Sequence, residues 1–330
     1  MHCFDDRYTA PAAVAFKTML EKADPSCEYA LHVVHEDITP EHMEMLREVV
    51  GRFPNASLRF SAPPPGIGEL FASMKTRGHY SKEVLCKMVA PDIFPQYDRM
   101  VVTDVDVLYL GDISASFLGF PGDRGVWIAG VGYHGSEPRC RWIDKVFENC
   151  YGEDEFCEDE RRRLLGGVGG GYLVCDLAAM RREGAAEKML ETFRAYAPRL
   201  KQAEQDVINL ACAGKLLRLP VRNMVSTCFY DHLGEDEKPL WRETLENPVQ
   251  LHYASDVKPW NSPGCTKAHL WWRELAGTPF FYETASRFNA KEERTSFGLF
   301  GIPLLKLWHT GSVSKARMFN NIRLREQGKR

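Results

Sequence analysis

The sequence predicts an α/β protein with a mostly parallel central sheet flanked by helices. Short apolar runs alternate with longer stretches of helical character, the strand, helix, strand order that builds a parallel sheet. The clearest strand, Arg99 to Val102, ends at Thr103-Asp104, and open α/β folds bind ligands at the carboxyl ends of their strands. The 330 residues are 44% hydrophobic, 26% charged and 11% aromatic, which excludes a wholly disordered chain, a collagen-like fibre and a coiled coil.

Taken in order, Met1 to Phe4 reads as the end of a first strand running into the turn Asp5-Asp6-Arg7. Val14 to Lys22 suits a helix, and Tyr29 to Val34 a strand whose Val33 and Val34 favour extended backbone. Thr39-Pro40-Glu41 opens a second helix with a capping residue and a proline at the first helical position. Leu58 to Phe60 is a third strand closed by Pro63 to Pro65, and Ser81 to Val89 a helix. Glu153 to Glu160 holds six acids in eight residues, then Arg161 to Arg163, which reads as a solvated helix. After the glycine run Gly166 to Gly171, Tyr172 to Cys175 is strand-like. Ala185 to Tyr196 and Glu204 to Ala213 are helical, and Val249 to His252 is a short strand. From about Cys265 the pattern gives way to aromatic and basic segments.

The formal charge of -3 recruits no nucleic acid. Ten cysteines lie scattered with no CxxC pair, so they are expected to be reduced core thiols. Asp5, Asp6 and Arg7 leave no room for an apolar signal region. No run approaches the ~20 apolar residues of a spanning helix. The expected location is cytoplasmic. The opening strand is short, so the start is expected to lack a few residues.

Asp104 and Asp106 are the sharpest chemical feature. Residues i and i+2 of extended backbone face one way, so two carboxylates can converge on one cation at the sheet edge. Hard oxygen ligands suit Mn²⁺ or Mg²⁺, with phosphate oxygens completing the shell. His252 offers an imidazole as a third ligand, and Lys258, six residues on, can neutralise a diphosphate. Asp112 instead reads as the cap of a short helix.

Asp5-Asp6-Arg7-Tyr8, Thr103-Asp104-Val105-Asp106, Glu204-Gln205-Asp206 with Asn209, and His252 through Lys258-Pro259-Trp260 together resemble the ordered signatures of family 8 glycosyltransferases. These are retaining, metal-dependent enzymes that include bacterial lipopolysaccharide galactosyl- and glucosyltransferases and the glycogenins. The resemblance covers about residues 1 to 265 and implies a GT-A type nucleotide-diphospho-sugar transferase fold. It implies a catalytic domain over residues 1-264 and an extension over 265-330 that contacts acceptor or membrane surface.

It further implies Mn²⁺ (or Mg²⁺) on Asp104, Asp106 and His252, bridging the phosphates of a UDP-sugar. Asp5, Arg7 and Tyr8 would sit at the uracil, Lys87 at phosphate or donor sugar, Val105 within the metal motif, and Lys258 at the diphosphate. Gly170, Gly171 and Ser255 would line the donor. Gln205 would lie beneath the anomeric carbon, with Glu204 and Asp206 beside it as catalytic candidates.

Three departures bear on specificity. Gly169-Gly170-Gly171 replaces the family's Asn-Ala-Gly or Asp-Ala-Gly, Ser255 replaces a glycine, and Lys87 stands where arginine is frequent. Because an amide is a poor nucleophile, a front-face attack is expected. The acceptor would be a glycan or glycolipid. Lys315 to Arg330 carries a local +5, and Val313, Ala316, Phe319 and Ile322 are spaced as on a helix that could lie on an anionic membrane. Trp271 and Trp272 are expected to pack, with sugar stacking as the other reading. Two other functions stay open on the residues alone: a metal-dependent nucleotidyltransferase or sugar-phosphate hydrolase, and a non-catalytic nucleotide-sugar-binding protein.

Overall fold

The computed structural model describes residues 1–74, 81–122 and 124–289, the last three through their backbone. Beyond these it describes the backbone of 292–299, 302–310, 313–318 and 322–328. The strands of the first 264 residues are β1 (His2–Cys3), β2 (Tyr29–Val34), β3 (Ala56–Ser61), β4 (Arg99–Thr103), β5 (Val107–Tyr109), β6 (Ile128–Val131), β7 (Tyr172–Asp176), β8 (Leu216–Leu219), β9 (Val225–Ser226) and β10 (Gln250–His252).

β1, β2 and β3 pair in parallel, and a second set runs β4-β7-β6-β8. Met1 joins the two: its amine donates to the Val101 carbonyl at 2.7 Å and its carbonyl accepts from the Thr103 N–H at 3.1 Å, the slanted pattern of a parallel pair. The continuous order is therefore β3-β2-β1-β4-β7-β6-β8, with β7 the antiparallel member. This agrees with the mostly parallel sheet expected from the sequence.

Alternation along the strands fills two cores. Val33, Ala129, Val131, Tyr172 and Val174 face one layer, while Val34, Ile128, Leu173 and Cys175 face the other, as side chains of period two must. Each valine, leucine or isoleucine among them contributes roughly 1.5–3 kcal/mol by leaving water. Five of the ten free cysteines, Cys3, Cys86, Cys140, Cys175 and Cys212, are buried there.

A third, small sheet runs β5-β10-β9. Its register sets His252 opposite Val107, and the Tyr253 N–H donates to the Asp106 carbonyl at 3.0 Å. The pairing of β10 with β5 thus delivers a distant imidazole to the acidic loop between β4 and β5.

Most helices fall where the sequence puts them. Thr39 caps Pro40–Val50 by accepting from the His42 N–H at 3.2 Å. The charge run forms the helix Glu158–Leu165, acidic in its first turn and basic in its last, complementing the helix dipole. The helix expected over 81–89 is a 3-10 helix, Lys82–Val89, wound more tightly than an α-helix. The carboxy-terminal region begins with helices Ala268–Leu275 and Phe281–Asn289.

The helix expected from Val313, Ala316 and Ile322 is not formed. Val313–Met318 and Ile322–Gly328 are antiparallel strands, the last two of a four-stranded sheet begun by Glu292–Leu299 and Ile302–Thr310. Phe319 lies outside the described residues. Ile322-Arg323-Leu324-Arg325 alternates apolar with basic, a period-two pattern that outweighs the spacing by three. The surface-lying helix that argued for membrane contact is therefore absent. Among the described residues no helix is long and apolar enough to cross a membrane.

Candidate active site

The residues at the carboxyl ends of β1, β4 and β10 converge. Asp104 and Asp106 sit in the loop after β4, which is pinned on both sides: the Asp104 N–H donates to the Gly171 carbonyl at 3.2 Å, and Tyr253 holds the Asp106 carbonyl. Behind the loop, Thr103 Oγ1 donates to the Gly171 carbonyl at 2.9 Å and accepts from Gln250 Nε2 at 2.8 Å. Gln250 lies two residues before His252 on β10, a spacing that could have flagged it. Val105 is buried in the core between the two aspartates.

Each carboxylate is shared between a lysine and the imidazole. Asp104 Oδ1 accepts from Lys87 Nζ at 2.6 Å, and its Oδ2 is 3.8 Å from His252 Nε2. Asp106 Oδ2 accepts from Lys258 Nζ at 2.5 Å, and its Oδ1 is 3.3 Å from His252 Nε2. Asp104, Asp106 and His252 each bring one ligand atom within 4.8 Å of the others. Two carboxylate oxygens and one imidazole nitrogen, oriented by ammonium groups on the opposite oxygens, fit a divalent cation of the Mn²⁺ or Mg²⁺ type. Burial works to raise Asp106, but Lys258 and His252 outweigh it and hold that carboxyl well below the usual range.

Lys258 is buried and also donates to the Tyr253 carbonyl at 2.5 Å. Ser255 closes the turn leading to it, its Oγ donating to the Val257 carbonyl at 3.1 Å. Lys87, presented by the 3-10 helix, is 4% exposed and donates to Asp104, to Glu204 Oε1 at 2.7 Å and to the Gly170 carbonyl at 3.0 Å. Burial opposes its charge, yet the two carboxylates raise it above the ordinary lysine value. Glu204 shares that ammonium with Asp104, and burial pushes its carboxyl up. Among the described residues its buried Oε2 has no hydrogen-bond partner.

The helix Ala203–Ala211 carries Glu204, Gln205 and Asp206 in its first turn. At 3.6 residues per turn, positions two apart point roughly 200° from one another, so these three cannot all face the site. Gln205 Oε1 accepts from the Gly170 N–H at 3.0 Å. Asp206, the third of these, is bonded to other partners. Its oxygens accept from the Tyr151 hydroxyl at 2.6 Å and the N–H groups of Lys201 and Gln202 at 2.7 and 3.0 Å. Ala203 enters this turn at φ 43°, a left-handed conformation costly for a non-glycine residue and invisible in the sequence.

Gly170 and Gly171 are required by close approach. A Cβ at Gly170 would lie 2.9 Å from Glu204 Oε1, and one at Gly171 would lie 2.8 Å from both the His252 ring and Met224 Sδ. At Gly169 a Cβ would meet Met224 at 2.8 Å, so Met224 occupies the direction in which an Asn or Asp side chain would start.

The turn after β1 is a 3-10 helix, Asp6–Tyr8, capped by Asp5. Asp5 accepts from the Arg7 N–H at 3.1 Å and from Nε and Nη2 of its guanidinium at 2.9 and 2.5 Å. Tyr8 packs edge-on against Trp260 at 5.7 Å, and burial with Asp106 and Asp5 raises its phenol. Asp112 stays apart, accepting from the Ser114 N–H at 3.0 Å. Trp271 is buried, and Trp272 Nε1 donates to the Pro259 carbonyl at 3.0 Å, so packing is their role.

The family described as Glycosyl transferase family 8 matches residues 1–264. General stress protein A of Bacillus subtilis (strain 168) is 23% identical over 274 residues, covering 79% of this chain and 86% of that protein. Glycosyltransferase GlyF of Streptococcus pneumoniae serotype 4 is 23% identical, covering 81% of this chain and 58% of its own. Among solved structures, the galactosyltransferase LgtC, in complex with donor and acceptor sugar analogues, superposes with a TM-score of 0.64 at 18% identity, covering 84% of this chain and 95% of its own. The bifunctional glycosyltransferase WbbM gives 0.63 at 21% identity, and this chain spans 87% of itself but only half of WbbM.

Proposed function

The chain belongs to glycosyl transferase family 8 and is a glycosyltransferase, and we propose that it moves a hexose, glucose or galactose, from a UDP-sugar to a glycan or glycolipid acceptor with retention of configuration. The observation that carries this reading is the arrangement around His252 Nε2. Asp104 Oδ2 and Asp106 Oδ1 face it while Lys87 and Lys258 hold the opposite oxygens. Mn²⁺ held by Asp104, Asp106 and His252 would supply Lewis-acid stabilisation of the departing diphosphate.

The residues of the chain do the rest. The turn Asp5 to Tyr8 takes the uracil, and Lys258 presents positive charge where the leaving group gains negative charge. Lys87, with Gly170, Gly171 and Glu204, receives the sugar, and the buried Glu204 Oε2 accepts from a sugar hydroxyl. The bond from the anomeric carbon to the β-phosphate oxygen breaks as the acceptor oxygen attacks from the same face, and the acceptor proton passes to the phosphate. Gln205, its oxygen engaged by Gly170, lines the opposite face without forming a bond to carbon. A sugar adduct trapped on Asp206 or Glu204 would overturn the front-face route.

The deciding experiment is a panel of UDP-sugars with Mn²⁺, scored for slow release of UDP in the absence of acceptor. Release from a UDP-hexose supports the reading. Turnover of nucleoside triphosphates or phosphate esters with intact UDP-sugars would replace it by phosphoryl chemistry, and tight UDP binding with no release by a binding role.

A further inference from the structure

The turn that would take the base is tied to the far end of the chain. Asp6, at its start, accepts through Oδ1 from the Thr39 N–H at 3.0 Å and from His42 Nδ1 at 2.7 Å, and its own N–H donates to Asp37 Oδ1 at 3.2 Å. His42 is 8% exposed, in the first turn of Pro40–Val50. Its other nitrogen, Nε2, lies 3.2 Å from Glu283 Oε2 on the helix Phe281–Asn289, and its ring packs on buried Phe280 at 5.5 Å. An imidazolium donates at both nitrogens, so one ring can bond both carboxylates at once. Glu283 lies beyond residue 264, outside the stretch matched by the family.

A second contact runs the same way. Tyr8 packs on Trp260, which packs on Trp271 of the helix Ala268–Leu275 at 5.3 Å. Lys17 of the helix Thr9–Glu21 is paired with Glu274 of Ala268–Leu275 at 2.6 Å.

We propose that His42 is a positioning residue that links Glu283 of the carboxy-terminal helix to Asp6 of the base-binding turn, so that the segment beyond residue 264 sets the affinity for the uracil base. The proposal rests on the reading that this turn receives uracil. Binding of uridine, measured calorimetrically on the full chain without divalent metal, isolates the base from phosphate and cation. His42→Ala should weaken uridine about tenfold and Glu283→Ala about threefold, the scale of a charge-assisted hydrogen bond.

The double variant should be no weaker than His42→Ala alone, because the two act through one linkage. KM for the UDP-sugar should rise in step, with kcat changed less than about twofold. If His42→Ala fails to fold, His42→Asn, which keeps a donor at the Nδ1 position toward Asp6 and withdraws from Glu283, should behave like Glu283→Ala. Unchanged uridine affinity in Glu283→Ala, or additive losses in the double variant, overturns the proposal. Asp5→Ala serves as control: its loss of uridine binding keeps the base-site reading, whereas unchanged binding there removes that reading and the proposal together.

Discussion

Lys258 and Lys87 are both buried ammonium groups at one sheet edge, yet they govern unlike ends of the site. Lys258 meets one carboxylate, Asp106, and one carbonyl. Lys87 meets two carboxylates, Asp104 and Glu204, and one carbonyl. At the Lys258 end the acid is held well below its usual range, while at the Lys87 end burial pushes Glu204 up. Under the proposed function, the Lys258 end is the one that meets the phosphate and its counter-ion. The Lys87 end keeps an excess of acid and an oxygen with no partner among the described residues, and the proposed function gives it to a sugar hydroxyl. On that proposal, the chemistry common to any donor falls to paired charges, and the recognition that differs between donors falls to Glu204.

The largest effect that tests this contrast is loss of the phosphate end. Asp106→Ala removes one ligand atom and the partner of Lys258, and UDP release should fall by about 10³-fold or more. Circular dichroism should show an unchanged fold, and chelation of metal from the natural protein should produce the same loss. An active, metal-independent Asp106→Ala would dissolve the distinction between the two ends.

Next in size is Lys87→Met. It leaves Asp104 and Glu204 facing each other without their shared cation, and breaking a buried pair by removing one partner costs about 3–5 kcal/mol. Urea unfolding should show that loss. Lys87→Arg keeps the charge and should recover most of it. A loss below about 1 kcal/mol would mean that solvent screens this end.

Much of this was legible beforehand. The acidic pair after the apolar run Met100-Val101-Val102, and a histidine six residues before a lysine, are local signals. Their convergence follows from strand direction and pairing. What the sequence hides is set by packing. Asp206 reads as one of three polar neighbours, and only the helix phase turns it toward Tyr151 and the amides of Lys201 and Gln202. The 3-10 winding that aims Lys87, and the φ of 43° at Ala203, depend on contacts from other elements. In the sequence from Val313 to Arg325 a spacing of three coexisted with the alternation of Ile322-Arg323-Leu324-Arg325, and strand pairing decided between them.

The smallest effects concern Glu204, where activity and stability should part. Glu204→Gln keeps shape but removes charge, and kcat/KM should drop about 10²-fold, the scale of losing one oriented charged contact in a site. The same change should stabilise the fold in a pH-dependent way. Burial raises the folded carboxyl above its unfolded value of 4.5, so its contribution is fully present below about pH 4.5 and is lost as pH rises through the folded value. Natural protein and variant should unfold at similar urea concentrations near pH 4. Above that the variant should gain by up to about 1.4 kcal/mol per pH unit until the folded group has ionised. A variant that is both less active and more stable at neutral pH identifies the sugar end as the place where stability is given up for recognition. A variant that loses stability as pH rises would instead make Glu204 a second well-paired anion, indistinguishable in kind from Asp106.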